Sequence, residues 1–488
     1  MKNTLLMSAL LAVSAAQLTH AQTTTNLTEV VQQAVLSNPE IRAQFHDFQS
    51  ALEGQKVRRG ALLPEVNASA WVGQEWRGSG SGPNAGSSNW SRHGYSLQLR
   101  QLLFDGFSTW NDVKQLGFEK LAEYFDLLAT VDKVASEAAM AYLDVQRYRE
   151  QVKLAEDNYR VHQRTLGQLN ERSASGVGKG VDRTQAQGRL SLAQSNLMAA
   201  NGNLNDVTER FRRIVGLMPA DTLLPVGDVS KSIVRGQKNF STSMRNNPGL
   251  LSKQALFQAA DAGVDSARGK FSPTAELRAA TGKDRGKPDD IYRDAHSSNV
   301  ELVVSMNLYR GGSDRARVRQ TVAQTYAARD VRDYTCRNLQ QDLSVAWNNM
   351  ARLNEQIPFL RQHQRSTSSV RHAYSQQFQI GERSLLDLLD TENELFDARR
   401  TLVDAEYNLK QVQMNWLTLS HELLPALKVA QPYEEKPSEF RELDLPSEAI
   451  DVCAQPLPDT TNLKPVRVQY RDNMQPPIIM QTEPITQN

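Results

Sequence analysis

The stretch GERSLLDLLDTENELFDARRTLVDAEYNLKQVQMNWLTLSHELL, residues 381–424, decides the fold. It opens on a turn glycine and then sets Leu395, Leu402, Leu409, Trp416 and Leu423 at a strict seven-residue spacing. Thr391, Ala398, Ala405, Val412 and Leu419 form a second row beside them. A sustained heptad is the pattern of left-handed coiled-coil packing, and a row of small residues lets helices approach closely. The same rows stand 205 residues earlier as Leu190, Leu197, Leu204, Phe211 and Met218, beside Ala186, Ala193, Ala200, Val207 and Ile214.

Upstream of each return helix the pattern predicts a far longer one, about 107–172 and about 312–378. The first carries the apolar seam Val131, Val134, Ala138, Ala141, Val145, Tyr148, Val152, Ala155 and Tyr159, with steps alternating three and four. Shifted by 205, the second seam reads Cys336, Leu339, Leu343, Ala346, Met350, Leu353, Ile357, Leu360 and Gln364. Pro358 falls inside that helix, where the missing N–H predicts a local bend. Before each long helix lie two runs of alternating pattern that read as strands, about 65–75 and 93–104, then about 274–282 and 298–309. Asn38-Pro39 recurs as Asn247-Pro248 at a shift of 209, and Leu103-Phe104-Asp105-Gly106 recurs as Leu308-Tyr309-Arg310-Gly311 at a shift of 205. The organisation expected is therefore a first structural repeat over 22–215, a connector over 216–240, a second repeat over 241–424 and a proline-rich tail over 425–488.

A helix of about 65 residues is roughly 100 Å long, more than any compact domain needs. Four strands cannot close a barrel, and an open sheet facing lipid would leave unpaired edges. Three chains would supply twelve strands, which can close, so edge satisfaction predicts a trimer. The N-terminus, MKNTLLMSALLAVSAAQLTHAQ, reads as a signal peptide over 1–21 with cleavage after Ala21, and no cysteine follows its apolar core to carry a lipid anchor. No internal run of about 20 apolar residues can form a membrane helix, which does not exclude a barrel. A net charge of +1 implies no pull toward nucleic acid. Cys336 and Cys453 are the two cysteines. In an oxidising compartment they could bridge, while the seam position of Cys336 favours a packed core thiol.

An enzyme has little support. The eight histidines show no metal-binding spacing, there is no nucleophile elbow, and no cofactor motif stands out. The glycine cluster Gly176-Val177-Gly178-Lys179-Gly180 follows a helix rather than a strand and reads as a helix–helix turn. Trp71, Trp76, Trp90 and Tyr95 surround the first strand pair and are expected at a lipid–water boundary. Asp387 and Asp390 share a helix face, where in a trimer they would form rings of three carboxylates that select cations. They equally suit a solvated acidic face near a helix start.

With the signal peptide, the duplicated strand–strand–long-helix–helix order, the two strand ends at Phe104-Asp105-Gly106 and Tyr309-Arg310-Gly311, and the motif of residues 381–390, the chain resembles the TolC-like outer-membrane channels of type I secretion and drug efflux. The resemblance covers about 27–424. It implies a mainly α fold with a β-barrel part. In a homotrimer, a twelve-stranded outer-membrane barrel would be continued by a periplasmic coiled-coil α-barrel. The bends at Gly176, Gly178 and Gly381 would form the inner tip, and Asp387 and Asp390 would line the pore constriction. A gate latch would pair Arg383 with Asp182 on the neighbouring hairpin. Phe378 stands at the family's latch tyrosine and can pack but cannot donate a hydrogen bond. The partners implied are a periplasmic adaptor (membrane fusion) protein, an inner-membrane ABC or proton-driven transporter and outer-membrane lipid.

The function expected is a passive exit duct, with type I protein secretion ahead of small-molecule efflux. A non-pore periplasmic coiled-coil adaptor would explain the heptads but not the strands.

Overall fold

The computed structural model describes residues 24–78, 87–175, 180–233, 240–286, 293–433, 435–446, 450, 453 and 455–464. The expected signal peptide over 1–21 and the expected turn residues Gly176 and Gly178 lie outside the described residues. Helix α1 spans Leu27–Ser37, with a capping box in which Asn26 and Glu29 satisfy each other's backbone N–H. Helix α2 spans Pro39–Gly60 and leads into strands β1 (Glu65–Gly78) and β2 (Ser87–Phe104). Helices α3 (Ser108–Ala174) and α4 (Gly180–Val215) follow. The order then returns after a short helix α5 (Phe240–Arg245): α6 (Pro248–Gly269), β3 (Thr274–Gly286), β4 (Arg293–Ser305), α7 (Ser313–Gln379) and α8 (Leu385–Leu419). A five-residue helix α9 (Leu423–Leu427) opens the tail, which carries two 3-10 turns at Ser438–Glu442 and Thr461–Leu463.

Helices α3 and α7 have 67 residues each, and α7 runs through Pro358 without ending. The expected strands differ at their ends. β2 begins at Ser87, earlier than 93, because the hairpin ladder continues outward through Gly78 opposite Ser87. β4 ends at Ser305 rather than 309, where its partner β3 begins at Thr274. Both turns into the long helices use left-handed backbone, Gly106 and Phe107 in one and Gly311 and Gly312 in the other.

The two Asn-Pro motifs show why the short helices sit where they do. Asn38 caps α2 with Pro39 in its first turn, and its side-chain amide donates to the Ile214 carbonyl at the end of α4 (3.1 Å). Asn247 caps α6, and its amide donates to the Leu419 carbonyl at the end of α8 (3.0 Å). Each bond satisfies a terminal carbonyl that a helix leaves without an internal partner. The result is two end-to-end columns, α4 on α2 and α8 on α6. Side by side, the order is α4/α2, α3, α8/α6, α7. The main core lies where the columns join and contains Val131, Ala138, Tyr142, Phe211, Leu343 and Trp416.

Four strands form one antiparallel sheet in the order β1-β2-β3-β4, and the short strand Thr24–Thr25 pairs in parallel with Thr222–Leu223. Glu65 stands opposite Arg100 in the first hairpin and Thr274 opposite Ser305 in the second. These positions are related by the same shifts, 209 and 205, that relate the sequence motifs.

Candidate functional site: the helical tip and the two-faced sheet

Gly381 closes α7 in the left-handed conformation (φ 83°), and the following N–H of Glu382 returns to the Gln377 carbonyl (2.9 Å). A side chain there would meet the Cβ penalty that glycine avoids. Ser384 then caps α8, its Oγ accepting the Asp387 N–H (3.2 Å). Asp387 thus stands in the first helical turn, where a carboxylate faces the positive end of the helix dipole.

Arg383 is engaged by its own hairpin. Its Nε donates to Gln377 Oε1 (3.0 Å), its guanidinium lies 4.4 Å from the Tyr374 ring centre, and Nη1 is 3.8 Å from Asp387. Asp182 lies in the first turn of α4. Within one chain, among the described residues, Arg383 and Asp182 are not paired, because Arg383 is turned back onto the face that carries Gln377 and Tyr374. Near the tip, among the described residues, the ion pair that joins the two hairpins is Arg189 to Asp390, at 2.5 Å between α4 and α8.

Beneath the charges is an apolar plug. Phe378 is buried with Leu169, Ala186, Leu385, Leu388 and Leu389, so residues from all four tip helices meet there. Arg172 covers the Phe378 ring from α3, 5.0 Å from its centre. Phe378 therefore acts by packing. Sequence reasoning missed Arg189 and Arg172, since a single charge on a heptad helix carries no mark of a partner some 200 residues away.

At the other end, the sheet has two unlike faces. Directly opposed residues share a face, and the register puts Val66, Ala68, Ala70, Val72, Leu97, Leu99, Ala279, Val300 and Leu302 together. The other face carries Ser69, Ser96, Gln98, Arg100, Glu276, Arg278, Asn299 and Glu301. Arg100 and Arg278 both bind Glu276 on that face. Apolar-out and polar-in alternation is what a lipid-embedded barrel requires. The same register corrects the aromatic belt: Trp76 and Tyr95 lie on the apolar face, but Trp71 (opposite Gly94) and Trp90 (opposite Glu75) lie on the polar one. Trp71 has the parity opposite to Val66 and Val72, so it cannot share their face.

Among the described residues, no helix is long and apolar enough to cross a membrane, and no group of His, Cys, Asp or Glu could hold a metal ion.

The profile of the outer membrane efflux protein family matches residues 30–217 and 240–419. The chain belongs to the outer membrane efflux protein family. Membership places it in the outer membrane, extending into the periplasm, as a transport component. Outer membrane protein TolC of Escherichia coli strain K12 is 26% identical over 415 residues, covering 80% of this chain and 81% of the relative. The alkaline protease secretion protein AprF of Pseudomonas aeruginosa is 23% identical over 387 residues, covering 77% and 80%. The solved CmeC outer membrane channel of Campylobacter jejuni shares the fold, with a TM-score of 0.72 at 15% identity over 87% of this chain and 90% of that one.

Proposed function

We propose that the protein is the passive exit duct of a tripartite export system, working as a homotrimer whose twelve strands close a barrel and whose helices close a tunnel. The observation that carries this is the unfinished wall of the single protomer. Column α8/α6 is flanked by α3 and α7, and α3 by both columns, but α7 and α4/α2 each have one bare flank. On α7 that flank leaves Tyr326, Tyr334, Val345, Phe359 and Val370 exposed, and on the other column Val57, Val181, Leu192 and Met198. Strands β1 and β4 end the sheet with open edges.

The contact between the halves shows what the missing neighbour must look like. Gly269 at the end of α6 packs on Gly106, so closely that a Cβ on either would strike the other's carbonyl. Their counterparts at the two shifts, Gly60 and Gly311, would meet nothing within 4 Å. A second copy that joins Gly60 to Gly311 as Gly269 joins Gly106 continues the wall, and three copies complete it.

The tip then forms the inner end of the duct. Asp387 and Asp390 form the constriction, and Gly381 closes the turn beside them. Opening separates the two hairpins by breaking Arg189–Asp390 and sliding the Phe378 plug, a switch between two packings. The Arg383–Asp182 latch can form only between protomers, since within a chain Arg383 is held elsewhere. The duct has no energy source of its own, and the partners are a periplasmic adaptor and an inner-membrane ABC exporter. Type I protein secretion is the reading we favour, supported by the similarity to AprF and by the long tail; small-molecule efflux is the second reading, favoured by the family's description. The test is conductance of the purified protein in planar bilayers. Cation-preferring pores whose preference falls in Asp387→Ala/Asp390→Ala support the duct, and a protein that extracts without detergent and makes no pores refutes it.

A further inference from the structure

The described part of the tail crosses the four upper helices in the order in which they stand in the wall. Tyr433 stacks on Phe45 of α2, and its carbonyl accepts the Tyr124 hydroxyl of α3 (3.3 Å). Glu439 enters a buried site between the same helices, where its carboxylate meets Lys120 (2.6 Å) and Gln55 (2.9 Å). Gly117 leaves the room for this, since a Cβ there would stand 2.7 Å from Gln55 Nε2. Phe440 packs on Phe125, and the Asp444 carbonyl accepts from Gln254 of α6, which in turn accepts from Arg332 of α7. Finally Cys453 is bonded to Cys336 of α7, with Cα atoms 5.9 Å apart, and Gln340 donates to the Gln455 carbonyl (3.0 Å).

These anchors are places where the two halves of the sequence part company. Gln55, Lys120 and Gly117 correspond to Val264, Thr325 and Val322, while Gln254, Arg332 and Cys336 correspond to Phe45, Leu127 and Val131. The duplicated scaffold is thus altered where the tail touches it.

We propose that the Cys336–Cys453 disulfide is a lock closed after export, which fastens the tail as a girdle on the upper helices and fixes their spacing there. Closure is a thiol–disulfide exchange. A periplasmic oxidant carrying a disulfide takes the two electrons and two protons of the Cys336 and Cys453 thiols and leaves as a dithiol. The Cα separation lies in the range that bridges without moving the backbone, so the noncovalent anchors can bring the thiols together before the oxidant acts. The inference does not rest on the pore reading, because every contact lies within one chain.

The experiment uses full-length protein purified from the cell envelope under non-reducing conditions. After denaturation, a maleimide should label neither cysteine until a reductant is added, and then both. Reducing the folded protein should raise amide exchange at least tenfold in 455–464 and in Pro248–Gly269, while residues 385–390 at the tip are unchanged. Cys453→Ser, exported normally, should show the same exchange pattern without reductant. Labelling of both thiols without reductant would overturn the lock. So would unchanged exchange in both the reduced protein and Cys453→Ser.

Discussion

Arg189→Ala removes an ion pair that joins the two hairpins near the tip, Arg189 to Asp390, while leaving the Phe378 plug untouched. The two side chains are 31% and 54% exposed, so water and salt screen them. An exposed pair of this kind contributes about 0.2–1 kcal/mol. Three copies act on one gate, so the closed tip loses about 0.6–3 kcal/mol, a shift of about 3- to 150-fold toward the open form. Single-channel recording should show longer or more frequent high-conductance openings. Cation preference should rise too, because three Asp390 carboxylates lose their partners. Arg189→Lys should recover most of the closed behaviour, as a lysine can still reach the carboxylate. If Arg189→Ala gated and selected ions like the wild type, the pair would have no part in closure.

Four more outcomes concern Glu439, His421 and Gly60. Glu439→Ala leaves Lys120 buried without its counter-charge, which should cost about 3–5 kcal/mol in thermal or urea unfolding. Burial alone would raise the Glu439 carboxyl, but hydrogen bonds from Lys120 and Gln55 outweigh it and hold it at about 2. A depressed carboxyl gives stability that is whole above the ordinary value of 4.5 and is lost as pH falls toward about 2, a loss that Glu439→Gln should abolish. Burial would lower the His421 imidazole, yet the hydrogen bond and charge of Asp132 (2.5 Å), with a smaller contribution from Glu422, raise it overall. Its contribution is therefore whole below 6.5 and fades as pH rises through the folded value, so unfolding followed from pH 6 to 9 should show a decline that His421→Gln lacks. Gly60→Val should leave the single chain folded but lower the trimer yield in size-exclusion chromatography; a normal yield would mean that Gly60 does not meet a neighbour.

Much of this architecture could be read in the chain because it is written twice in periodic form. The seam from Cys336 to Ile357 is buried as its three-four spacing requires, and so are Trp416 and Leu423 of the heptad row. The Asn-Pro pairs cap helices because their chemistry is local. What escaped reading depends on partners far apart in sequence. Trp90 could be assigned a face only once Glu75 was known to stand opposite it. The partner of Asp390 was not legible, because α4 brings Arg189 to it from 201 residues away. Arg383 was matched with Asp182 alone, and its contacts with Gln377, Tyr374 and Asp387 within its own hairpin were not read. Lys120 and Gln55 did carry a signal, since each breaks the repeat, but the composition of the tail gave no sign of which residue would answer them.

Closure between copies is the central claim, and the sheet register makes it specific. Within the chain Arg100 of β2 stands opposite Arg278 of β3. The same shifts place Ser305 of β4 opposite Ser69 of the next copy's β1. Ser69→Cys and Ser305→Cys introduced together, then oxidised in the outer membrane, should give a covalent trimer on a non-reducing denaturing gel. Ser69→Cys with Val304→Cys, one residue out of register and on the opposite face, should stay monomeric. Failure of the first pair to cross-link in properly inserted protein would contradict the closed twelve-stranded barrel.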